Sequence, residues 1–207
     1  MPITLIHPTP DCGWAGQRLD GILNQALAGR EVRILRSAGE LDSLHGQKIL
    51  LALPLGDTGV NLEYQRILAR LRKEPGLLSG CVGGLIVDGA SELYTKSTAA
   101  EGALALNQAG CALLGRPLVE ATGSLANFTV QAGNLGCGLM EAYRAAAAGL
   151  AQRLEAESFP RRNRPNILAL HASSHHTSNT MALWGRVRER LEDRCSIQEI
   201  GLRNGTL

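Results

Sequence analysis

The sequence predicts an α/β protein built on a parallel β-sheet and followed by the start of a second, smaller β-α-β unit. Short aliphatic runs alternate with longer segments of helical periodicity from residue 3 to about residue 155. Such alternation implies right-handed βαβ crossovers and a parallel sheet covered on both faces. Aromatic residues make up only 3% of the chain, so the core has to be aliphatic. Beyond a segment rich in arginine and proline, the strand-and-helix pattern then starts again.

The elements follow in order. "ITLIH" (3–7), "EVRIL" (31–35), "KILLALP" (48–54), "GGLIVDG" (83–89) and "PLVEAT" (117–122) are strand candidates, each short, apolar and bounded by Gly, Pro or polar residues. Leu19, Ile22, Leu23 and Leu27 recur at helical spacing between the first two strands, as do Leu62, Ile67, Leu68 and Leu71 between the third and fourth. Ala103 to Leu114 is rich in Ala and Leu, and 128–155 reads as one long helix once its early glycines are passed. Residues 1–157 therefore read as a complete three-layer domain.

Residues 158–165 read as a solvated linker, since Arg161, Arg162 and Arg164 sit among prolines without apolar periodicity. In 166–207, "NILALH" is a strand, Thr180 to Leu191 a helix with Leu183, Val187 and Leu191 on one face, and "SIQEIGL" a second strand. An offset of 164 lays His171 on His7, Leu183 on Leu19, Val187 on Leu23 and Leu191 on Leu27, the signature of a repeated βαβ opening.

Composition narrows the function classes. A formal net charge of +2 gives no field for nucleic acid or an anionic membrane. Five widely spaced cysteines with no C-x-x-C pair argue against a disulfide framework or structural zinc site and for a reducing compartment. The start lacks a signal-peptide pattern and no run of about 18 apolar residues occurs, so the expected location is cytoplasmic. There is no G-x-S-x-G elbow, no G-x-x-x-x-G-K-[ST] loop and no G-x-G-x-x-G turn, which removes the usual serine hydrolase, P-loop and dinucleotide readings. His171, His175 and His176 have no nearby carboxylate or cysteine in sequence to complete a metal set.

The chemically informative stretch is the loop from Ala172 to Thr180, with the hydroxyls of Ser173, Ser174, Thr177 and Ser178 and with Asn179 just ahead of a helix. A helix N-terminus has unpaired N–H groups and a partial positive charge, so it suits a phosphate dianion. Ser178 or Asn179 serving simply as a helix cap is the other reading of the same residues.

"ILALHASSHHTSNTMALWGRV" resembles the opening of NADPH-dependent FMN reductases and related flavodoxin-like quinone reductases. In that family the first strand runs into a small-Ser-Pro-Arg-x-x-(Gly or Ser)-Asn-Thr loop around the FMN phosphate. Ala172, Ser173, Ser178, Asn179 and Thr180 match that pattern, whereas Ser174 stands where proline is usual and His175 where arginine is usual. A histidine restores the lost charge only when protonated. The resemblance implies FMN held by Ser173, Ser174, His175, Ser178, Asn179 and Thr180, NAD(P)H as electron donor, a small-molecule electron acceptor, and no catalytic acid or base. It covers about 40 residues specifically.

Residues 1–157 are more loosely similar to the flavodoxin-like plan, which implies a five-stranded parallel sheet of order 2-1-3-4-5. There the loop "HPTPDCGWAG" has Thr9 as its only hydroxyl, so a phosphate would have to meet N–H groups near Gly13 to Gly16, and a worn-down site is the alternative. In flavodoxin-like proteins the loops corresponding to Pro54–Asn61 and Asp88–Thr95 hold the flavin ring. Asp57, Thr58, Asp88 and Ser91 are also ordinary turn and cap residues.

Two functions follow. One is an FMN-dependent oxidoreductase of the NAD(P)H-dependent FMN or quinone reductase type; the other is a cofactor-free flavodoxin-like module with a regulatory or oligomerising role. A βαβ unit of about 40 residues cannot bury its own sheet. It is expected to be a fragment of a longer tandem protein, to extend the first sheet, or to be completed by another chain as in a homo-oligomer, the fragment being preferred.

Overall fold

The computed structural model describes residues 2–8, 13–42, 44–157, 164–172 and 178–202. It divides into two compact units, Met1–Phe159 and Pro160–Leu207.

The first unit runs β1 (Ile3–Ile6), α1 (Gly13–Ala26), β2 (Val32–Leu35), β3 (Lys48–Leu55), α2 (Leu62–Lys73), β4 (Val82–Gly89), α3 (Thr95–Gln108), β5 (Ala112–Ala121), α4 (Thr129–Leu135) and α5 (Leu139–Ala156). All five strands are parallel and lie in the order β2-β1-β3-β4-β5, the flavodoxin-like doubly wound plan. Strand alternation sorts the core into two layers. Ile3, Leu5, Leu50, Ala52 and Ile86 pack beneath α1 and α5, with Leu19, Ile22, Tyr143 and Leu150. Ile6, Ile49, Leu51, Leu53, Leu85 and Val87 pack beneath α2 and α3, with Tyr64, Ile67, Leu68 and Leu106. β3 and β4 lie inside the sheet and are almost wholly buried, which is why their sequences read as unbroken apolar runs.

Two expected boundaries shift. The Ala-rich helix was expected to reach Leu114, but α3 stops at Gln108 and the chain turns at Gly110 (φ +98°) into a ten-residue β5. Ala112 to Leu114 satisfy their backbone groups in the sheet instead, and the β4–β5 register shifts between Gly83 and Leu85 to take up the extra length. The single helix expected over 128–155 is broken, because Gly136 in the left-handed region closes α4 before α5 begins at Leu139.

The second unit is β6 (Asn166–His171), α6 (Asn179–Leu191) and β7 (Ser196–Gly201), a parallel pair joined by a helix. Its crossover is one residue longer than that of the first unit: Ile3 pairs with Val32 there, and Ile167 pairs with Ile197 here. The offset of 164 therefore suits the first strand, whereas the second strand follows at 165. The helix also follows at 165, because Met181, Trp184, Arg188 and Leu191 then fall on the buried Gly16, Leu19, Leu23 and Ala26.

This corrects the expected inward face of α6. Leu183 is 63% exposed and Val187 40%, because Met181 and Trp184 take the sheet side. Among the described residues, no helix is long and apolar enough to cross a membrane.

Candidate functional site

In a sheet of this plan, ligands bind outside the carboxyl ends of the strands, where the chain direction of the crossovers changes. The first unit has such an edge, and the second presents the carboxyl ends of its two parallel strands.

In the second unit, α6 begins directly beyond the carboxyl end of β6. Ser178 has extended backbone (φ −96°, ψ 116°) and its Oγ accepts a hydrogen bond from the Met181 N–H at 3.3 Å, so the capping expectation holds for it. Asn179 and Thr180 form the first helical turn and are exposed. Ser173, Ser174 and His175, the rest of the expected set, lie outside the described residues, as do His176 and Thr177. A depression of about 220 Å³ on α6 is lined by Asn179, Ala182, Leu183 and Arg186.

Glu199 of β7 ties this unit together. Its carboxylate takes the Trp184 indole N–H at 3.0 Å, lies 3.1 Å from His171 Nε2 and 3.6 Å from Arg188. Among the described residues, no three His, Cys, Asp or Glu side chains cluster as a metal set.

In the first unit the described part of the corresponding edge holds a buried ion pair. Asp88, at the end of β4, is fully buried, and Arg18 reaches it from the second turn of α1. The same guanidinium donates to the carbonyl oxygens of Gly89 at 3.1 Å, Thr122 at 3.0 Å and Gly123 at 2.9 Å, so it binds the loops after β4 and β5 at once. The Tyr143 hydroxyl donates to the second Asp88 oxygen at 3.0 Å, and Phe128 stacks on the Tyr143 ring at 5.2 Å. Trp14 lies over the guanidinium at 4.7 Å. Burial pushes the Asp88 carboxyl above its ordinary value, against the pull of Arg18 and Tyr143. It pushes the Tyr143 hydroxyl well up too.

Asp88 is thus no turn or cap residue. Its partner is 70 positions away, a distance over which sequence spacing carries no information.

The two loops expected to hold a flavin ring touch one another. Gly59 (φ +70°) lies so close to the Tyr94 ring that an added Cβ would fall 2.5 Å from two of its carbons. Tyr94 itself is in the left-handed region at φ 71°. Neither Asp57 nor Thr58 caps α2; Asn61 does, accepting from the Tyr64 N–H at 3.0 Å. The Ser91 Oγ accepts from the Leu93 N–H at 3.3 Å, a turn bond as expected. Beside Tyr94 a cleft of about 360 Å³ opens toward Glu92, Thr95, Glu120 and Asn127. The Ser124 N–H donates to Glu92 at 2.7 Å, and this bond holds the Glu92 carboxyl below its ordinary value.

The described residues of this edge do not form a phosphate cradle. Gly13 to Gly16 open α1 without a hydroxyl, and Arg18, the only cation of that helix, directs its donors into the protein. Sequence reasoning missed Arg18 and Tyr143. A lone cation among the buried positions of α1 and a carboxylate ending an otherwise apolar β4 were the available signals.

No family model and no curated protein matches this chain. Among solved structures, Flavodoxin 2 from Bacillus cereus is 14% identical, with a TM-score of 0.47 over 74% of this chain and 99% of its own. A flavone reductase is 12% identical, with a TM-score of 0.48 over 75% of this chain and 64% of its own. A short-chain flavodoxin associated with a non-canonical PDU bacterial microcompartment is 13% identical, with a TM-score of 0.46 over 74% of this chain and 99% of its own. The flavodoxin-like architecture of this chain rests on its own strand order.

Proposed function

We propose that the chain carries the phosphate-binding part of a flavin (FMN)-dependent oxidoreductase of the NAD(P)H-dependent FMN or quinone reductase type, with the phosphate at the start of α6. The observation that carries this reading is the position of Ser178, Asn179 and Thr180 at a helix N-terminus beyond the carboxyl end of a parallel strand. In the reading, the N–H groups and hydroxyls of that turn hold the phosphate, with Ser173, Ser174 and His175 completing the loop. FMN would supply the hydride or electron chemistry between NAD(P)H and a small-molecule acceptor, while the protein binds and orients it.

A second reading concerns the first unit alone. The Arg18–Asp88 ion pair and the Tyr94–Gly59 contact favour a cofactor-free flavodoxin-like module there.

Titration of FMN into the full chain, followed by flavin fluorescence and by visible absorbance after gel filtration, tests the proposal. Saturable binding that is lost in a Ser173→Ala, Asn179→Ala, Thr180→Ala variant supports it. Binding that survives those substitutions, or no binding with FMN in excess, rejects it.

A further inference from the structure

We propose that His7 is held in its doubly protonated, cationic form, and that its second proton is a pH-sensitive latch tying α1 to the sheet. The inference concerns the first unit and is independent of flavin.

His7 is the residue at which the chain leaves β1, and it is 1% exposed. Its side chain follows Leu5 onto the face that α1 covers, because alternate residues of a strand share a face. There the ring bridges two elements. Nδ1 lies 2.9 Å from the carbonyl oxygen of Ala52 on β3, and Nε2 lies 2.9 Å from Asp20 Oδ1 on α1. The Ala52 carbonyl sits one residue past the last β1–β3 pair, Ile6 with Leu51, so the imidazole supplies a donor where that ladder has ended.

Both partners are acceptors. A carbonyl oxygen has no proton to give, and neither has an ionised carboxylate. A neutral imidazole has one N–H, so either tautomer would leave a ring lone pair facing an oxygen lone pair at 2.9 Å. On the Ala52 side that mismatch would be buried, where an unmade hydrogen bond costs most. Only the imidazolium donates to both. The Asp20 side chain is 50% exposed, so its carboxylate is solvated and the buried cation is paired rather than isolated.

The other titratable groups around this layer are engaged elsewhere. Arg36, in the turn after β2, reaches the His7 carbonyl oxygen at 3.5 Å. Arg18 of α1, Asp88 of β4 and Tyr143 of α5 are bonded to one another. At this level β3 offers Leu51, Ala52 and Leu53, none of which titrates. Loss of the proton would turn one of the two ring bonds into a repulsion between lone pairs and untie α1 from the sheet. That helix also carries Arg18, which binds the loops after β4 and β5, so the tie bears on the edge where this fold binds ligands. The sign follows from linkage. Above the ordinary imidazole range, about pH 6.5, the folded chain holds a proton that the unfolded chain has released, so the latch is closed at neutral pH and is lost as pH rises further.

The test is nitrogen NMR of the isotopically labelled full chain, with the His7 ring assigned as the signals missing from His7→Gln. At about pH 7.5, where an ordinary histidine is mostly neutral, both His7 ring nitrogens are expected to resonate as N–H. Asp20→Asn replaces an acceptor by a group that can donate, so in that variant Nε2 should lose its proton while Nδ1 keeps one. Amide exchange along α1, corrected for its intrinsic pH dependence, is the second readout. Local opening should rise at least about tenfold from about pH 7 to about pH 9 in the parent chain and stay level in Asp20→Asn. A bare ring nitrogen on His7 at about pH 7.5, whether Asp20 is ionised or protonated, would overturn the inference. So would α1 opening that responds to pH equally in the two chains. The ring spectrum reads protonation directly, so a variant that is merely less stable cannot imitate the expected change.

Discussion

Arg18 has more structural connections than any other described cation of the first unit, joining α1 to β4 and to the loops after β4 and β5 through one guanidinium. Planarity and five fixed donors let arginine do this, and lysine would not match the geometry. Arg18→Met keeps the apolar stem but leaves Asp88 buried without its cation, so it is expected to cost about 3–5 kcal/mol at neutral pH. The pH dependence has a definite sign. Burial holds the folded Asp88 carboxyl above its unfolded value, so its contribution is fully present below the unfolded pKa and is lost as pH rises through the folded one. Removing Arg18 raises the folded value further. The deficit of the variant relative to the parent should therefore be larger at neutral pH than near the ordinary carboxylate range, as denaturation midpoints at the two pH values would show. A deficit independent of pH would show that removing Arg18 leaves the folded Asp88 titration unchanged.

At the scale of elements, the loops after β3 and β4 are coupled by contact between a glycine and an aromatic ring. Gly59 is required twice over, by its φ of +70° and by the closeness of Tyr94, which would meet a Cβ at 2.5 Å. Gly59→Ala should cost about 1–3 kcal/mol of stability. Tyr94→Ala in the same chain should return part of that cost, leaving the part due to backbone strain. Thermal unfolding of the two single variants and the double variant measures the coupling, and strict additivity would show that the ring moves aside freely. The second crossover teaches a related point. The sequence offset that aligned its strand also aligned Leu183 with Leu19, yet one residue more between β6 and β7 turns the helix by about 100°. That rotation brings Trp184 and Arg188 onto Glu199 and leaves Leu183 outside.

At the scale of the whole molecule, the two units differ in what they bury. Each face of the first sheet has a helical layer with near-complete burial of large aliphatics. In the second unit only Met181 and Cys195 count among the buried apolar residues described. A chain ending after Glu157 is accordingly expected to fold alone and to unfold in one cooperative transition, since its core closes without any residue beyond α5. Circular dichroism on heating would check this, and a broad, non-cooperative melt would reject the independence of the first unit.

Periodicity and composition made much of this fold legible. An apolar run of two or three turns declares its strand or helix through local backbone preference, and alternation of the two types leaves few topologies besides a parallel sheet. The expected order 2-1-3-4-5 came from likeness to a known plan, and the strand pairing carries it. Of the candidate site, Ser178 was legible as a cap because a cap bonds three residues ahead. The buried ion pair of the first unit was not legible, because Arg18, Asp88 and Tyr143 meet across 70 and 55 residues of sequence. Local patterns by themselves determined most strands and helices; the tertiary structure decided that Ala112 to Leu114 join the sheet, which charged groups are sealed in and which apolar ones are left bare, since sheet pairing and burial depend on neighbours that the chain brings together only on folding.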